Sequence, residues 1–282
     1  MSDAASLLDG GSLAESPIYF SESHLLAWVD MPAGAVHSVT VTETFDRVSS
    51  PTTRVIAPYL GAIVPALNGR IAALTVDSVV LLEEGSVRPL TRILTDPSQR
   101  LNDAACDLQG ALWVGSTAVD GTPGQGALHK WDCVGEPVVV AEGLTQPNGI
   151  AWSPSGDMIY LVDTARHCVF ASAVDRISLR TLIQFDDEEP DGLCVDSDGC
   201  LWIALWNGSQ VRKYSPIGAL LDVIQLPVSR PTSCAFVGGG HLVVTSARRG
   251  LSDEAAASQP LAGHVLVLEA GAVGAKVGRL AV

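Results

Sequence analysis

The sequence predicts an all-β protein, a six-bladed β-propeller with four short strands per blade, formed by residues 1–282 as a single domain. Three observations predict this fold: six units of similar length, a strand–turn–strand pattern within each unit, and no helical apolar pattern that lasts three turns. The length of 282 residues and the 47% hydrophobic content suit one large all-β domain.

The six units each begin with a polar or small residue that precedes an apolar run. Their starting positions are spaced by about 41–46 residues. They are Glu15, Gly61, Asn102, Asn148, Asp191 and Thr232. Four short strands in a unit of this size are typical of a propeller blade. An eight-stranded barrel does not explain the unit length, and a sandwich does not explain six copies.

Within the units, short turns join apolar runs. The turns read SES, LNG, LQG, SPSG, DSDG and GGG in chain order. DSDG, residues 196–199, begins like a calcium-binding EF-hand loop, but the twelfth position of such a loop requires Glu and is Asn207 here. We therefore predict a hairpin turn. The one helix candidate is SDEAAASQ, with Ser252 as its N-cap.

Closure of the ring requires strands from both ends of the chain in one blade. The candidates are HVLVLEA near the C-terminus and the residues before Glu15. The sequence leaves open which of them supplies the outermost strand.

Composition and charge exclude several classes of protein. Seventeen basic and 31 acidic side chains give a net charge of −14, which disfavours nucleic acid as a partner. No stretch approaches the roughly 18 apolar residues of a membrane span, and the first residues lack a signal peptide pattern. We expect no membrane partner, a cytoplasmic location, and a monomer or weak homo-oligomer. The six cysteines show no C-x-x-C pair, and we expect reduced thiols.

The starting residues of the six units are expected to meet at one mouth of the central channel, because all inner strands of a propeller run in the same direction. Glu15, Asn102, Asn148 and Asp191 would then bring two carboxylates and two carboxamides together. Like-charged carboxylates at close range favour a bound cation, and oxygen ligands suit a hard divalent ion. Asn148-Gly and Asp191-Gly are also ordinary turn dipeptides, and that interpretation stays open.

The chain resembles the gluconolactonase and regucalcin (senescence-marker-protein) family, which includes sugar lactonases. The matching segments include ESPIY, RLNDAACDLQGALWVG, PNGIAWSPSGDMIYLVD and PDGLCVDSDGCLWIALW, in the family's order over essentially the whole chain. The resemblance implies a six-bladed propeller and one divalent ion held by Glu15, Asn148 and Asp191. It also implies that Asp191 is the general base and that Arg100 and Asn102 contact the substrate.

Two departures from the family pattern concern the substrate. The family often has Met and then Glu after the WVG strand, whereas this chain has Thr117, with Asp120 in the place of a substrate-binding Glu. The chain also has ESP where EGP is usual.

The expected activity is metal-dependent hydrolysis of a small-molecule sugar lactone to the sugar acid, with calcium, zinc, manganese or ferrous iron as the ion. The alternatives are an esterase or phosphotriesterase on the same scaffold and a non-enzymatic calcium-binding propeller.

Overall fold

The structure is a computed structural model that describes residues 4–42, 44–45 and 47–282, and it confirms the six-bladed propeller. Six antiparallel sheets contain four strands each. Their innermost strands contact one another in a closed ring, in the order of the blades along the chain. The blades pack against one another through six clusters of buried side chains.

The first three blades follow one another along the chain, each from its inner to its outer strand. Blade 1 consists of β2 (Ala14–Phe20), β3 (Leu25–Asp30), β4 (Ala35–Thr40) and β5 (Thr52–Val55). Blade 2 consists of β6 (Ile63–Pro65), β7 (Ile71–Leu74), β8 (Ser78–Glu83) and β9 (Ser86–Arg92). Blade 3 consists of β10 (Gln99–Cys106), β11 (Leu112–Ala118), β12 (Gly126–Trp131) and β13 (Val138–Leu144).

The other three blades repeat this order, except that the last is completed from the N-terminus. Blade 4 consists of β14 (Pro147–Trp152), β15 (Met158–Asp163), β16 (Cys168–Ala173) and β17 (Arg180–Gln184). Blade 5 consists of β18 (Glu189–Val195), β19 (Leu201–Trp206), β20 (Gln210–Tyr214) and β21 (Leu220–Gln225). Blade 6 consists of β22 (Pro231–Val237), β23 (His241–Ser246), β24 (His264–Glu269) and β1 (Ala5–Asp9).

Ring closure uses both candidate segments. HVLVLE forms β24, and the N-terminal β1 pairs antiparallel with it as the outermost strand, with Ala5 opposite Val267. The helix α1 (Asp253–Ser258) lies between β23 and β24, and the Ser252 side chain accepts a hydrogen bond from the Ala255 N–H, as the predicted N-cap requires. Among the described residues, no helix is long and apolar enough to cross a bilayer.

The C-terminal segment runs along the hairpin turns that join inner strands to second strands. The backbone of Ala275 bonds to Val195 O, and that of Ala281 bonds to Gly110 O. Leu280 is fully buried in the cluster between blades 2 and 3. Because inner strands end at these turns, the segment covers the face opposite the strand starts.

Two of these hairpins share an aspartate–tryptophan contact. In DSDG, Asp196 Oδ1 accepts the backbone N–H groups of Asp198 and Cys200, and Oδ2 accepts the indole N–H of Trp202 at 3.0 Å. Burial would raise the pKa of Asp196, but the hydrogen bonds from Trp202, Cys200 and Lys213 outweigh it and lower that pKa. The predicted hairpin turn is confirmed, and its carboxylate binds protein donors. The LQG turn repeats the arrangement with Asp107 and Trp113.

Replacement of Asp196 by Ala should lower the free energy of unfolding by about 1–3 kcal/mol, because buried N–H donors lose their acceptor. Asp198→Ala, an exposed change in the same turn, should alter it by less than about 0.5 kcal/mol. Urea unfolding followed by tryptophan fluorescence measures both. Equal losses would show that the turn does not depend on the Asp196 contacts.

Candidate functional site

A cavity of about 280 Å³ lies at the end of the axis where the inner strands begin. Five of the six predicted starting residues line it: Glu15, Gly61, Asn102, Asn148 and Asp191. The sixth, Thr232, does not line it, because its hydroxyl is fully buried, donates to Ala14 O at 2.6 Å and contacts Thr245 Oγ1 at 2.8 Å. The predicted meeting of strand-start residues in the cavity therefore holds for five blades. In blade 6 the corresponding residue, Thr232, bonds to blade 1 instead.

Most of the residues in the wall are polar. It also includes Arg100, Asp103, Gln146, Thr164 and Glu189, together with three larger apolar side chains, Leu13, Met31 and Trp206. A volume near the lower end of the roughly 300–1,000 Å³ of small-molecule pockets suits a ligand of monosaccharide size.

Irregular pairing at the start of the inner strands shapes this wall. In β10 the register with β11 shifts between Leu101 and Ala104, and equivalent shifts occur in β2, β14 and β18. A bulge interrupts the alternation of side chains between the two faces of a strand. Consecutive residues, Asn102 and Asp103, therefore both reach the cavity. The sequence analysis did not select Asp103, since strict alternation would direct it away from Asn102.

Three carboxyl groups in the cavity affect one another. Burial, followed by the charges of Asp191 and Asp103, raises the pKa of Glu15 well above its usual value. Burial and then the charge of Asp103 raise the pKa of Asp191. Burial also raises the pKa of Asp103 to about 6, although the hydrogen bond from the Ala104 N–H acts to lower it. The ionised site therefore contains negative charge that the surrounding protein does not fully compensate.

Asn148 links Asp191 to blade 4. Its Nδ2 donates to Asp191 Oδ1 and contacts Thr164 Oγ1 at 3.1 Å. The Thr164 hydroxyl in turn donates to Pro190 O at 2.7 Å. These bonds fix the amide and the carboxylate on adjacent inner strands, β14 and β18.

On another part of the wall, Arg100 and Asn102 form a second polar group. Arg100 Nη1 donates to Asn102 Oδ1 at 2.6 Å and to Tyr59 Oη at 2.8 Å, while Asn102 Nδ2 donates to Pro147 O at 3.0 Å. Within the described chain no residue accepts a hydrogen bond from Arg100 Nη2 or Nε. These donors are available to a ligand.

Buried aspartates hold the segments that lead into two of the inner strands. Asp163 accepts the backbone N–H groups of Thr145 and Gln146, both at 2.9 Å, just before Asn148. Asp30 does the same for the segment before Glu15, where it accepts the N–H groups of residues 12 and 13. Each aspartate ends the second strand of its blade, so a repeated sequence feature, "VD", positions two cavity residues.

Asp120 lies away from the cavity wall. It is exposed in the turn after β11, where its Oδ1 accepts the Thr122 N–H at 2.9 Å. Thr117 is buried and donates to Thr145 O at 2.9 Å. A role for Asp120 in substrate binding stays a prediction, and the cavity as described is formed without it.

The residues that could hold a divalent ion are Glu15, Asn148 and Asp191. Oxygen donors and uncompensated buried negative charge are what a hard cation requires. Among the described residues no three His, Cys, Asp or Glu side chains approach closely enough to form a metal site by themselves. The candidate donor set therefore combines two carboxylates with the carboxamide oxygen of Asn148, whose Nδ2 donates to Asp191.

Comparison with known proteins gives the family. Residues 13–248 match the family model described as the SMP-30/gluconolactonase/LRE-like region. A 6-deoxy-6-sulfogluconolactonase of Pseudomonas putida is 31% identical over 267 residues, 90% of this chain and 89% of that protein. An L-arabinolactonase of Azospirillum brasilense is 32% identical over 213 residues, 71% of this chain and 70% of that protein. The chain therefore belongs to the SMP-30/gluconolactonase family.

A solved structure shows the same fold. The calcium-binding protein regucalcin from Agrobacterium tumefaciens superposes with a TM-score of 0.89, covering 98% of this chain and 96% of that one at 23% identity. The family match thus confirms the resemblance stated from the sequence motifs, and this structure confirms the fold.

Glu15→Gln should stabilise the metal-free protein, because it removes one buried charge from a group of carboxylates. We expect a melting temperature about 2–4 °C higher, the effect of roughly 1 kcal/mol in a domain of this size. The pKa of Glu15 is raised in the folded state, so ionisation costs stability as the pH rises. The gain should therefore be larger at pH 8 than at pH 5.

Glu84→Gln is the matched control, an exposed glutamate with the same change of net charge. Calorimetry of chelator-treated protein at both pH values makes the measurement. An equal rise in both variants would attribute the effect to net charge, and no rise in Glu15→Gln would contradict the buried repulsion.

Proposed function

We propose that the chain is a metal-dependent hydrolase that opens a sugar lactone to the corresponding sugar acid. The observation that carries this proposal is the polar cavity in which Glu15, Asn148 and Asp191 converge while Arg100 and Asn102 present a separate hydrogen-bonding group. Membership of a family that includes sugar lactonases supports it.

Each part of the cavity has a role in this reaction. Glu15, Asn148 and Asp191 would hold the ion, which when bound supplies Lewis-acid polarisation of the lactone carbonyl and compensates the buried carboxylates. Asp191 accepts a proton from the attacking water and returns it to the ring oxygen when the acyl C–O bond of the lactone breaks. Arg100 donates through Nη2 or Nε to ring hydroxyls or to the developing negative oxygen.

The alternatives fit the cavity less well. An aryl ester or phosphotriester would favour an apolar wall, and here most lining residues are polar. A protein that only binds calcium needs no hydrogen-bond donors beside the ion, whereas Arg100, Asn102 and Tyr59 form a hydrogen-bonded group in this chain. Both observations favour a hydroxyl-rich small substrate.

Removal of the metal should abolish turnover, and reloading should restore it. The measurement is acid release from a panel of aldonolactones by chelator-treated protein, reloaded in turn with calcium, zinc, manganese or ferrous iron, after subtraction of spontaneous hydrolysis. We expect at least one ion to raise the rate by 10²-fold or more, in line with the roughly 10²–10⁴-fold effects of single catalytic groups. Full activity of the chelated protein, with metal absent by elemental analysis, would contradict the metal requirement.

Asp191→Asn should retain part of the metal and lose most of kcat, by about 10²–10⁴-fold, because an amide can ligate but cannot accept the proton. Asp191→Ala should lose both metal and turnover. Asn102→Ala should keep the ion and show a smaller loss. Metal content and lactone hydrolysis are measured on the same samples, with Asp198→Asn as the exposed control. If metal-loaded Asp191→Asn hydrolysed the lactone at the wild-type rate, Asp191 would be a metal ligand only, and another group would be the general base.

A further inference from the structure

The side chain of Thr164 contacts two neighbouring blades at the points where they carry candidate metal ligands. Its hydroxyl donates to Pro190 O at 2.7 Å, directly before Asp191, and its Oγ1 lies 3.1 Å from Asn148 Nδ2. Thr164 is buried and lines the cavity. It has no part in the reaction steps proposed above.

The direction of the hydroxyl hydrogen decides how the Asn148 carboxamide is turned. A backbone carbonyl can only accept, so Thr164 donates its single hydrogen to Pro190 O. Thr164 Oγ1 is then left to accept, and Asn148 presents its NH2 group to the threonine. The other Nδ2 hydrogen goes to Asp191 Oδ1. Both hydrogens of the amide are therefore committed to acceptors in the protein.

The oxygen of this carboxamide is left for the cavity. None of the described residues donates to Asn148 Oδ1, and this oxygen is not fully enclosed by protein. Asn148 lines the cavity, so Oδ1 is the atom that it offers there. A hard cation binds a carboxamide through its oxygen, and the NH2 group has no acceptor site for a cation. An amide turned the other way would therefore remove one candidate ligand.

Backbone contacts fix Thr164 beside the segment that carries Asn148. The Thr164 N–H donates to Gln146 O at 3.1 Å, and the His167 N–H donates to Thr164 O at 3.0 Å. Asp163, the preceding residue, accepts the backbone N–H of Gln146 as well. The threonine and the asparagine are therefore held together through the backbone and not only through their side chains.

Blade 1 shows that the local fold does not require a hydroxyl at this position. Asp30 and Asp163 end equivalent strands, and each pairs opposite the residue before a candidate ligand. The residue after Asp30 is Met31, which lines the cavity as Thr164 does. The ligand in blade 1 is Glu15, whose two carboxylate oxygens can ligate in either orientation. The hydroxyl thus accompanies the amide, the ligand whose orientation matters.

We propose that Thr164 is a positioning residue of the metal site, whose hydroxyl turns the Asn148 carboxamide so that Oδ1 faces the ion. This inference rests on the proposed function, because it assumes that Glu15, Asn148 and Asp191 hold a divalent ion. Hydrogen-bond partners of metal ligands typically contribute about 10–100-fold to metal affinity. Thr164 acts through Asn148 and not on the substrate.

Thr164→Val removes the hydroxyl and nearly keeps the shape of the side chain. We expect it to weaken metal binding by about 10–100-fold. The measurement is titration calorimetry of chelator-treated protein with calcium, zinc and manganese. Thr164→Ser retains a hydroxyl and should restore most of the affinity. If the valine variant does not fold, Thr164→Ala takes its place with the same expected loss.

Thr117→Val is the matched control. Thr117 is also buried and donates its hydroxyl to a backbone carbonyl, that of Thr145 at 2.9 Å, and within the described chain no hydrogen bond joins it to a candidate ligand. Both valine variants should lower the melting temperature, whereas only Thr164→Val should weaken metal binding. The inference is overturned if Thr164→Val binds the ion like the wild type, or if both variants weaken binding equally.

A second background separates the orientation of the amide from packing. In Asn148→Asp the side chain ends in two oxygens, so its orientation no longer decides whether an oxygen faces the ion. Thr164→Val added to Asn148→Asp should therefore reduce metal affinity much less than it does in the wild-type background. An equal loss in both backgrounds would contradict the proposed role.

A metal-free measurement distinguishes failure of this inference from failure of the proposed function. If the wild type binds none of the ions, the proposed metal-dependent hydrolysis fails, and the amide itself is observed. The chain contains four asparagines, so selective ¹⁵N labelling of asparagine gives four side-chain NH2 groups in NMR spectra. The group missing from Asn148→Asp belongs to Asn148. Its hydrogens should exchange slowly with solvent in the wild type and faster in Thr164→Val, and unchanged exchange would overturn the inference.

Discussion

The pairing of β1 with β24 closes the ring, and the arrangement of the cavity depends on that closure. Once blade 6 is completed by the N-terminal strand, β2 of blade 1 lies beside β22 of the same ring, and the Thr232 hydroxyl bonds to Ala14 O across the junction. Glu15 follows Ala14 directly. The closing junction therefore also sets where one carboxylate stands relative to Asn148 and Asp191, which come from blades on another part of the ring.

Within this ring, hydrogen bonds to the backbone fix the segments that carry the cavity carboxylates, although these carboxylates repel one another. Asp30 and Asp163 bind the backbone N–H groups of the segments that enter β2 and β14, and the bulges that follow turn consecutive side chains towards the axis. Burial near Asp103 raises the pKa of Glu15 and of Asp191, so the ionised form of each carboxyl group lowers the stability of the metal-free fold. Residues that oppose folding in this way are usually kept for function.

The sequence predicted the blade number, the short helix with its cap and five of the residues that line the cavity, because these depend on spacing along the chain. Unit lengths determine which residues begin inner strands, and identical strand directions bring them together. Asp103 was missed because a bulge overrides the alternation on which strand predictions rest. The sequence also placed Thr232 in the cavity, whereas its hydroxyl donates to Ala14 O in the neighbouring blade. The outermost strand of blade 6 stayed undecided, because pairing between the two ends of the chain leaves no local sequence pattern. Asp120 lies in the exposed turn after β11, where its side chain accepts a hydrogen bond from the Thr122 N–H.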